Sequence, residues 1–487
     1  MPDSAPETDA AAAAAGVPPP LRPPNRATAL QEVVERADTV WTGSRRKPKV
    51  MMVGRDRVRG PHGRVAIVDG CRTAFTKAGT DFQAMDVVDL ASVAAAELVA
   101  RTAIDPDEIQ LSIFGCVIPA LHAPNLGREV VFRTSLPMDV PGTTVSLACA
   151  SSNRAIVCGA EAILSGECQV VLAGGAESLS NVPIQFSRRA SRAFMEFGKA
   201  RSLPQRMGVL GKLRPADLAP VPPAIAEYTT GMTMGEAAEK MAKENDISRL
   251  AQDEIALMSH QRAAAATADG RFAEQIAPAF PPPAYDRAIT RDNGIRADAS
   301  LAALEKLKPV FDRHYGSLTA GNSTPLTDGG AAVLLMSEEK AKALGYTPLG
   351  YIRSWAFTAL NPGDQLLQGP AYAAPAALDG AGLKLADLDL VEMHEAFAAQ
   401  TLSNLKAFNS RKFAQEELGR GEPLGVVDFE RFNVLGGSIA IGHPFGATGA
   451  RVTTQLLCEL RRRGANLGML TVCAAGGVGF AMVVERE

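Results

Sequence analysis

The chain has 487 residues, of which 46% are hydrophobic and 21% are charged, as in a globular protein with a large core. This length predicts two or three domains. The 50 Lys and Arg nearly balance the 53 Asp and Glu, so the formal charge of -3 argues against a nucleic-acid binder. Seven cysteines are too few for a disulfide framework and indicate free thiols in a reducing compartment.

The first 62 residues are predicted to be a disordered or linker extension. Residues 1–30 contain nine alanines and seven prolines, a composition that cannot form a packed core. A short helix is predicted at Leu30–Val40, and seven basic residues follow between Arg45 and Arg59 as a solvated tail or a docking segment for an anionic surface. The first ten residues carry three acidic groups, the wrong sign for a targeting sequence, so we predict a cytoplasmic location.

From Gly63 onward, strands alternate with helices. The predicted elements are a strand at Arg64–Val68, a helix at Asp86–Ala103, a strand at Leu111–Ile118, a helix at Cys149–Gly166 and a strand at Gln169–Ala173. This alternation is typical of an α/β fold.

The pattern changes between Glu177 and about Ser300, where we predict an inserted loop domain of mostly helix and loop. An α/β pattern resumes afterwards and repeats the first half, since each half has a small-residue helix, a strand and a Gly-Gly pair. The sequence therefore predicts a domain at 63–345 that contains the insertion (about 177–300) and a second domain at 346–487.

Familiar cofactor motifs are missing. No G-x-x-x-x-G-K-[ST] loop occurs, Gly476–Gly479 does not fit G-x-G-x-x-G, and neither C-x-x-C nor H-E-x-x-H is found. We therefore predict chemistry without a metal ion.

Two cysteines lie at the ends of predicted elements. Cys149 stands at a strand-to-helix junction, where the positive end of the helix dipole lowers the pKa of a thiol. Cys473 ends the last strongly apolar strand. A single cysteine in such a place is more often a small core residue than a nucleophile.

Two of the six histidines occupy comparable places. His394 follows the apolar run Leu388–Met393, and His443 precedes a proline at which a helix can start. One histidine alone is more often structural. Two thiols and two imidazoles at element ends together indicate covalent thioester chemistry, with a nucleophile, an activating histidine, a second acid/base and an oxyanion site.

The order of these motifs resembles the thiolase superfamily from about Arg64 to Glu485. The resemblance rests on six segments: the Cys149 segment, Gly174–Ser178, Ala320–Thr324 with Asp328–Ala331, His394–Phe397, Gly442–Pro444 and Cys473–Gly476. It implies duplicated βαβαβαββ domains in five αβαβα layers, with the inserted loop domain over the active site. His394-Glu-Ala-Phe397, where most thiolases have Asn-Glu-Ala-Phe, resembles the branch that contains the β-subunit of the fatty-acid trifunctional enzyme.

The resemblance also implies residue roles. Cys149 takes up the acyl group, His443 accepts its proton and helps to form one oxyanion hole, and Cys473 is the acid/base. His394 contributes to one oxyanion hole, and the backbone N–H groups of Cys149 and Ala475 form the other. Coenzyme A is a substrate, and no cofactor is bound permanently.

The implied activity is CoA-dependent cleavage of a 3-ketoacyl-CoA in fatty-acid β-oxidation. Three alternatives stay open: an acetoacetyl-CoA thiolase that acts in condensation, a decarboxylating ketoacyl synthase and a non-catalytic acyl-CoA-binding or scaffold subunit. Cys473 argues against the synthase, whose Cys-His-His set does not need it. The implied partners are a second copy of the chain or a higher oligomer, a hydratase/dehydrogenase α-subunit and a membrane surface that the insertion touches peripherally.

Overall fold

The computed structural model describes residues 28–44, 46–221 and 226–487. Ahead of the first domain, the chain forms α1 (Ala29–Glu35), β1 (Lys49–Val53) and β2 (Arg59–Gly60). The first half then contains β3 (Gly63–Thr73), β4 (Thr76–Lys77), α2 (Val87–Thr102), β5 (Leu111–Gly115), α3 (Leu126–Arg133), β6 (Gly142–Val145), α4 (Ser151–Ser165) and β7 (Val170–Glu177).

The segment after β7 is mainly helical. It contains α5 (Arg188–Lys199), α6 (Leu203–Leu210), α7 (Met234–Glu244), α8 (Arg249–Ala268), β8 (Ile276–Ala277) and α9 (Leu301–Glu305). The chain then returns to the sheet through β9 (Thr327–Ser337) and α10 (Glu338–Ala343).

The second half is built from β10 (Gly350–Ala359), α11 (Gly369–Ala381), β11 (Leu390–Met393), α12 (Ala398–Asn409), α13 (Arg411–Phe413), α14 (Ser438–Ile441), α15 (Thr448–Arg463), β12 (Leu467–Ala474) and β13 (Val478–Glu485). Helix boundaries follow local signals. The Asp86 carboxylate accepts the N–H groups of Val88 and Asp89 at the start of α2, and Gly166 and Gly464 end α4 and α15 in the left-handed region.

The two halves repeat one strand order. In the first half the order is β6–β5–β7–β9–β3, and in the second it is β11–β12–β13–β10. A parallel bridge from Val391 of β11 to Phe432 takes the place of the edge strand that β6 forms in the first half. In each half the first strands are parallel and the last pair is antiparallel. The duplication predicted from the sequence is confirmed.

The helices lie in three layers around the two half-sheets. α4 packs on the first half-sheet, whereas α15 packs against α4 and against strands of both halves, so these two helices form the central layer. α2 and α3 cover the outer side of the first half-sheet, and α11 covers that of the second, with α12 packed against α11. The five αβαβα layers are therefore present, and the N-terminal ends of α4 and α15 meet near the middle of the molecule.

The prediction of a disordered or linker extension is wrong for residues 28–44 and 46–62, and residues 1–27 and 45 lie outside the described ranges. α1 packs on α8 and α12 through Leu30, Val33 and Val34, which are buried. β1 pairs antiparallel with β10 along five residues. Ordered structure therefore begins well before Gly63, because this segment buries apolar side chains and joins a sheet. The prolines and basic residues around it suggested disorder from composition alone.

Candidate active site

Cys149 lies in a strained turn between β6 and α4. The preceding residue, Ala148, has φ of +46°, a left-handed conformation that is rare for a residue with a side chain. Ser151 stabilises the turn, because its hydroxyl donates to the carbonyl of Ala148 and accepts the N–H of Leu147. Cys149 is half-buried, so its sulfur is both fixed and reachable.

His443 lies beside this sulfur. Its Nε2 is 3.1 Å from the Cys149 Sγ, and its Nδ1 is 2.6 Å from the Thr448 Oγ1. The Thr448 hydroxyl donates to the carbonyl of Pro444, so its oxygen accepts a hydrogen bond from the Nδ1–H of His443. This direction leaves the Nε2 lone pair facing the thiol, which is the arrangement that a base requires.

The thiol is neutral at rest. Burial raises the pKa of Cys149 to about 12, more than the N–H groups of Ala475 and of Cys149 itself lower it. Burial, with a smaller contribution from the Arg451 charge, lowers the pKa of His443 to about 3. The expectation of a lowered thiol pKa is therefore wrong, because desolvation outweighs the helix terminus.

His394 follows β11 and is completely buried. Its ring centroid lies 4.1 Å from that of His443, and its Nδ1 lies 2.8 Å from the Ser438 Oγ. Its Nε2 has no hydrogen-bond partner within the described residues. Cys149, His394 and His443 each place one ligand-type atom within 4.8 Å of those of the other two.

Cys473 lies on β12, next to the strand that leads to His394, and is fully buried. Burial and the nearby Cys149 raise the pKa of Cys473 well above its usual range. The loop that follows turns sharply, with positive φ at Gly476 and Gly477. The carboxylate of Glu227, from the inserted segment, accepts the N–H of Gly476 at 2.9 Å. The Ala475 N–H points toward the Cys149 sulfur.

Known proteins carry the same domains. Residues 65–339 match the thiolase N-terminal domain and residues 346–486 match the thiolase C-terminal domain. The chain belongs to the thiolase family.

Named relatives agree with this assignment. A 3-ketoacyl-CoA thiolase of Serratia proteamaculans is 53% identical over 427 residues, which are 88% of this chain and 98% of the relative. A 3-ketoacyl-CoA thiolase of Aeromonas salmonicida is 53% identical over 87% of this chain and 97% of its own length.

Solved thiolase structures share the fold. The Bacillus anthracis acetyl-CoA acetyltransferase has a TM-score of 0.75 at 32% identity, covering 87% of this chain and 98% of that one. Human mitochondrial 3-ketoacyl-CoA thiolase in complex with CoA has a TM-score of 0.73 at 30% identity, covering 89% of this chain and 99% of that one.

Sequence reasoning missed the buried polar residues that support this thiolase site. Thr448 and Ser438 each bond one imidazole, and the Glu177 carboxylate accepts the N–H groups of Val117, Ile118 and Gly446. Glu177 lies in the Gly174–Ser178 motif, and a charged residue at the end of an apolar strand is a sequence signal for a buried functional or supporting group. Ser438 carried no such signal.

A pocket of about 210 Å³ opens beside the site. Ser323 and Ile439 line one end, and Ile439 is the neighbour of the serine that bonds His394. The cationic side chains of Lys77 and Arg296 line it as well, and neither forms an ion pair with the described carboxylates. Sequence analysis assigned no residue to this pocket.

No helix within the described ranges is long and apolar enough to cross a membrane.

Proposed function

We propose that this thiolase cleaves 3-ketoacyl-CoA with CoA, giving acetyl-CoA and an acyl-CoA shortened by two carbons, in fatty-acid β-oxidation. The observation that carries the proposal is the 3.1 Å contact between the Cys149 Sγ and the His443 Nε2, with the thiol of Cys473 buried nearby. The names of the relatives at 53% identity support the same substrate class.

In the first half-reaction, the Cys149 sulfur attacks the 3-keto carbon while His443 Nε2 takes the thiol proton. The bond between C2 and C3 then breaks, the acyl group stays on sulfur, and the electron pair goes to the enolate of acetyl-CoA. Cys473 protonates that enolate and becomes a thiolate. A raised thiol pKa suits this role, because Cys473 keeps its proton until a strong carbon base forms beside it.

In the second half-reaction, the Cys473 thiolate takes the proton of incoming CoA, whose sulfur attacks the acyl-Cys149 thioester. The bond between the acyl carbon and the Cys149 sulfur then breaks, the acyl-CoA leaves, and the Cys149 sulfur regains its proton from His443 Nε2. The backbone N–H groups of Cys149 and Ala475, which point at the sulfur, donate to the thioester oxygen as it becomes negative. The unpartnered Nε2 of His394 is available to stabilise the other oxyanion. The cycle needs no permanent cofactor and no metal ion.

We propose that CoA occupies the pocket that Lys77 and Arg296 line. Lys77 and Arg296 form no ion pair with the described carboxylates and outnumber the one carboxylate of the lining, Asp298, which favours phosphate groups. Ile439 of the lining is the chain neighbour of Ser438, which bonds His394. Arg296→Ala is expected to raise KM for CoA about 10-fold or more while kcat changes less.

Cys473 separates this proposal from a decarboxylating ketoacyl synthase, for which a second buried thiol has no use. The function is tested by CoA-dependent thiolysis of acetoacetyl-CoA and of a long-chain 3-ketoacyl-CoA, with Cys149→Ala as the control. Cleavage of the long substrate that is lost in the variant supports β-oxidation. Cleavage of acetoacetyl-CoA alone points to the short-chain alternative, and cleavage of neither contradicts the proposal.

We further propose that the chain forms a homodimer or higher oligomer, pairs with a hydratase/dehydrogenase α-subunit, and touches anionic membrane surfaces through α5 and α6. These two helices expose large apolar side chains beside basic ones: Phe194, Met195, Leu203 and Met207 with Arg188, Arg189, Arg192 and Arg206. This combination is typical of interfacial helices. Co-sedimentation with anionic but not zwitterionic vesicles would support the membrane contact.

A further inference from the structure

His394 can serve as an oxyanion donor only if the proton of its neutral ring is on Nε2. The ring is fully buried, its Nδ1 contacts the Ser438 Oγ at 2.8 Å, and its Nε2 lacks a partner within the described residues. Whether Nε2 carries a proton therefore depends on the direction of the single hydrogen bond at Nδ1.

Arg451 decides that direction. Its Nη2 donates to the Ser438 Oγ at 2.6 Å, and a guanidinium cannot accept a hydrogen bond. Both Arg451 and Ser438 are buried, and the hydroxyl contacts only Arg451 and His394 among the described residues. The Ser438 oxygen therefore already accepts one hydrogen bond, and its hydroxyl hydrogen still needs an acceptor.

Two arrangements are conceivable. If Nδ1 donated to Ser438, the buried serine proton would have no acceptor and Nε2 would carry a bare lone pair. If Ser438 donates to Nδ1, the hydroxyl and Nδ1 are both satisfied, and within the described residues only the N–H at His394 Nε2 and the Arg451 Nε–H, which lacks a partner in either arrangement, stay unpaired. The second arrangement avoids a buried unpaired hydroxyl, which is costly.

We propose that Ser438, oriented by Arg451, is a positioning residue that holds His394 in the Nε2–H form, so that the ring donates a hydrogen bond to the substrate oxyanion. This inference rests on the proposed function, because it names the residues that prepare one donor of that reaction. The neighbouring His443 ring is held in the opposite tautomer, with its proton on Nδ1. Thr448 accepts from Nδ1 of His443 and leaves Nε2 bare as a base.

Burial is the main reason why both rings stay neutral, and the Arg451 charge adds to it. That charge lowers the pKa of His443, after burial, and it lowers the pKa of His394, after burial and His443. Two buried carboxylates, Glu392 and Glu395, interact with the Arg451 charge and favour it. Two adjacent imidazoles therefore differ in function because one hydroxyl donates to its ring and the other accepts.

Nitrogen-15 NMR of the substrate-free, full-length protein with labelled histidine tests the assignment directly, since the shifts of protonated and bare ring nitrogens differ strongly. The chain has only six histidines, and the loss of signals in His394→Asn and His443→Asn assigns the two rings. We expect a proton on Nε2 of His394 and on Nδ1 of His443. A proton on Nδ1 of His394 would overturn the proposal.

Kinetics give a second readout. Ser438→Ala is expected to lower kcat about 10-fold with KM changed less than about twofold, because donor orientation is lost and substrate binding is not. Ser438→Thr keeps the hydroxyl and is expected to recover most of kcat. Equal losses in the two variants would contradict the relay. The NMR result does not depend on thiolysis by the unaltered chain, so failure of the proposed activity and failure of this inference are distinguishable.

Discussion

The Glu177 carboxylate accepts the N–H of Gly446 at 3.0 Å, across 269 residues of sequence. This bond joins the end of β7 to the loop that carries His443. The same carboxylate accepts the N–H groups of Val117 and Ile118 beyond β5, so one buried acid holds three backbone segments together. A Cβ at Gly446 would lie 2.3 Å from the carbonyl oxygen of Ala176, which shows how closely the two segments approach.

Glu177→Gln is expected to lower kcat about 10-fold, because the amide NH2 opposes an N–H group and loosens the His443 loop. Burial raises the pKa of Glu177 to about 7, so the carboxylate becomes protonated and its hydrogen bonds to the three N–H groups weaken as pH falls below 7. The kcat of the natural enzyme should therefore fall below pH 7, and the pH profile of Glu177→Gln should not show this fall. Steady-state pH profiles check both points. Glu161→Gln, at a surface pair with Arg154, should leave kcat and the profile unchanged.

Alkylation distinguishes the two thiols of the site. Cys149 is half-buried and Cys473 is fully buried, so iodoacetamide should modify Cys149 first. Because burial raises the pKa of Cys149 to about 12, alkylation of Cys149 depends on His443 as the base. His443→Asn should therefore slow the alkylation of Cys149 about 10-fold or more. Peptide mass spectrometry measures the rates, with the half-buried Cys158 as an internal control that should not change. Earlier labelling of Cys473 would contradict the assignment.

Much of the fold was predictable because strand and helix periodicity is local. α2 (Val87–Thr102) and α4 (Ser151–Ser165) lie within two residues of their predicted bounds, and the Gly-Gly pair that recurs in each half indicated the duplication. The four chemical residues were found because they end elements and fall in recognised motifs. Their convergence follows from the topology, since His394 and Cys473 end adjacent parallel strands.

Other features were not predictable because they depend on contacts far apart in sequence. The pKa of Cys149 is set by burial that no local pattern reveals, and the partners of Ser438 are known only once α14 and α15 are packed. The N-terminal segment was misjudged for the same reason, because its strand β1 exists only by pairing with β10.

His260 should contribute to acid sensitivity. Burial and the charge of Arg296 lower its pKa to about 4, whereas an unfolded chain protonates the same ring near 6.5. Between these values the unfolded state binds more protons, so the free energy of unfolding falls as pH falls. His260→Asn, which keeps an acceptor for the Arg296 N–H, should reduce that slope by up to ~1.4 kcal/mol per pH unit. Urea unfolding at several pH values measures it, and the exposed His314→Asn should leave the slope unchanged.

The N-terminal segment should contribute to stability although it lies before the matched thiolase domains. Leu30→Ala removes a buried contact of α1 and is expected to lower the free energy of unfolding by about 2 kcal/mol. Glu35→Ala, on the exposed side of the same helix, should change it by less than about 0.5 kcal/mol. Equal effects in denaturant unfolding would mean that α1 is not docked in solution.

A buried ion pair between β3 and the inserted segment provides the last test. The Arg72 guanidinium meets the Asp292 carboxylate through two bonds of 2.7 and 2.8 Å, and both side chains are almost completely buried. Asp292 also accepts the N–H of Phe75. Asp292→Asn leaves the arginine charge without its counter-charge and should lower the free energy of unfolding by about 3 kcal/mol or more. The double variant Arg72→Met with Asp292→Leu removes both charges and should recover part of that loss, measured by denaturant unfolding. A double variant as unstable as the two single losses added together would mean that the two charges are not coupled, and would contradict this account.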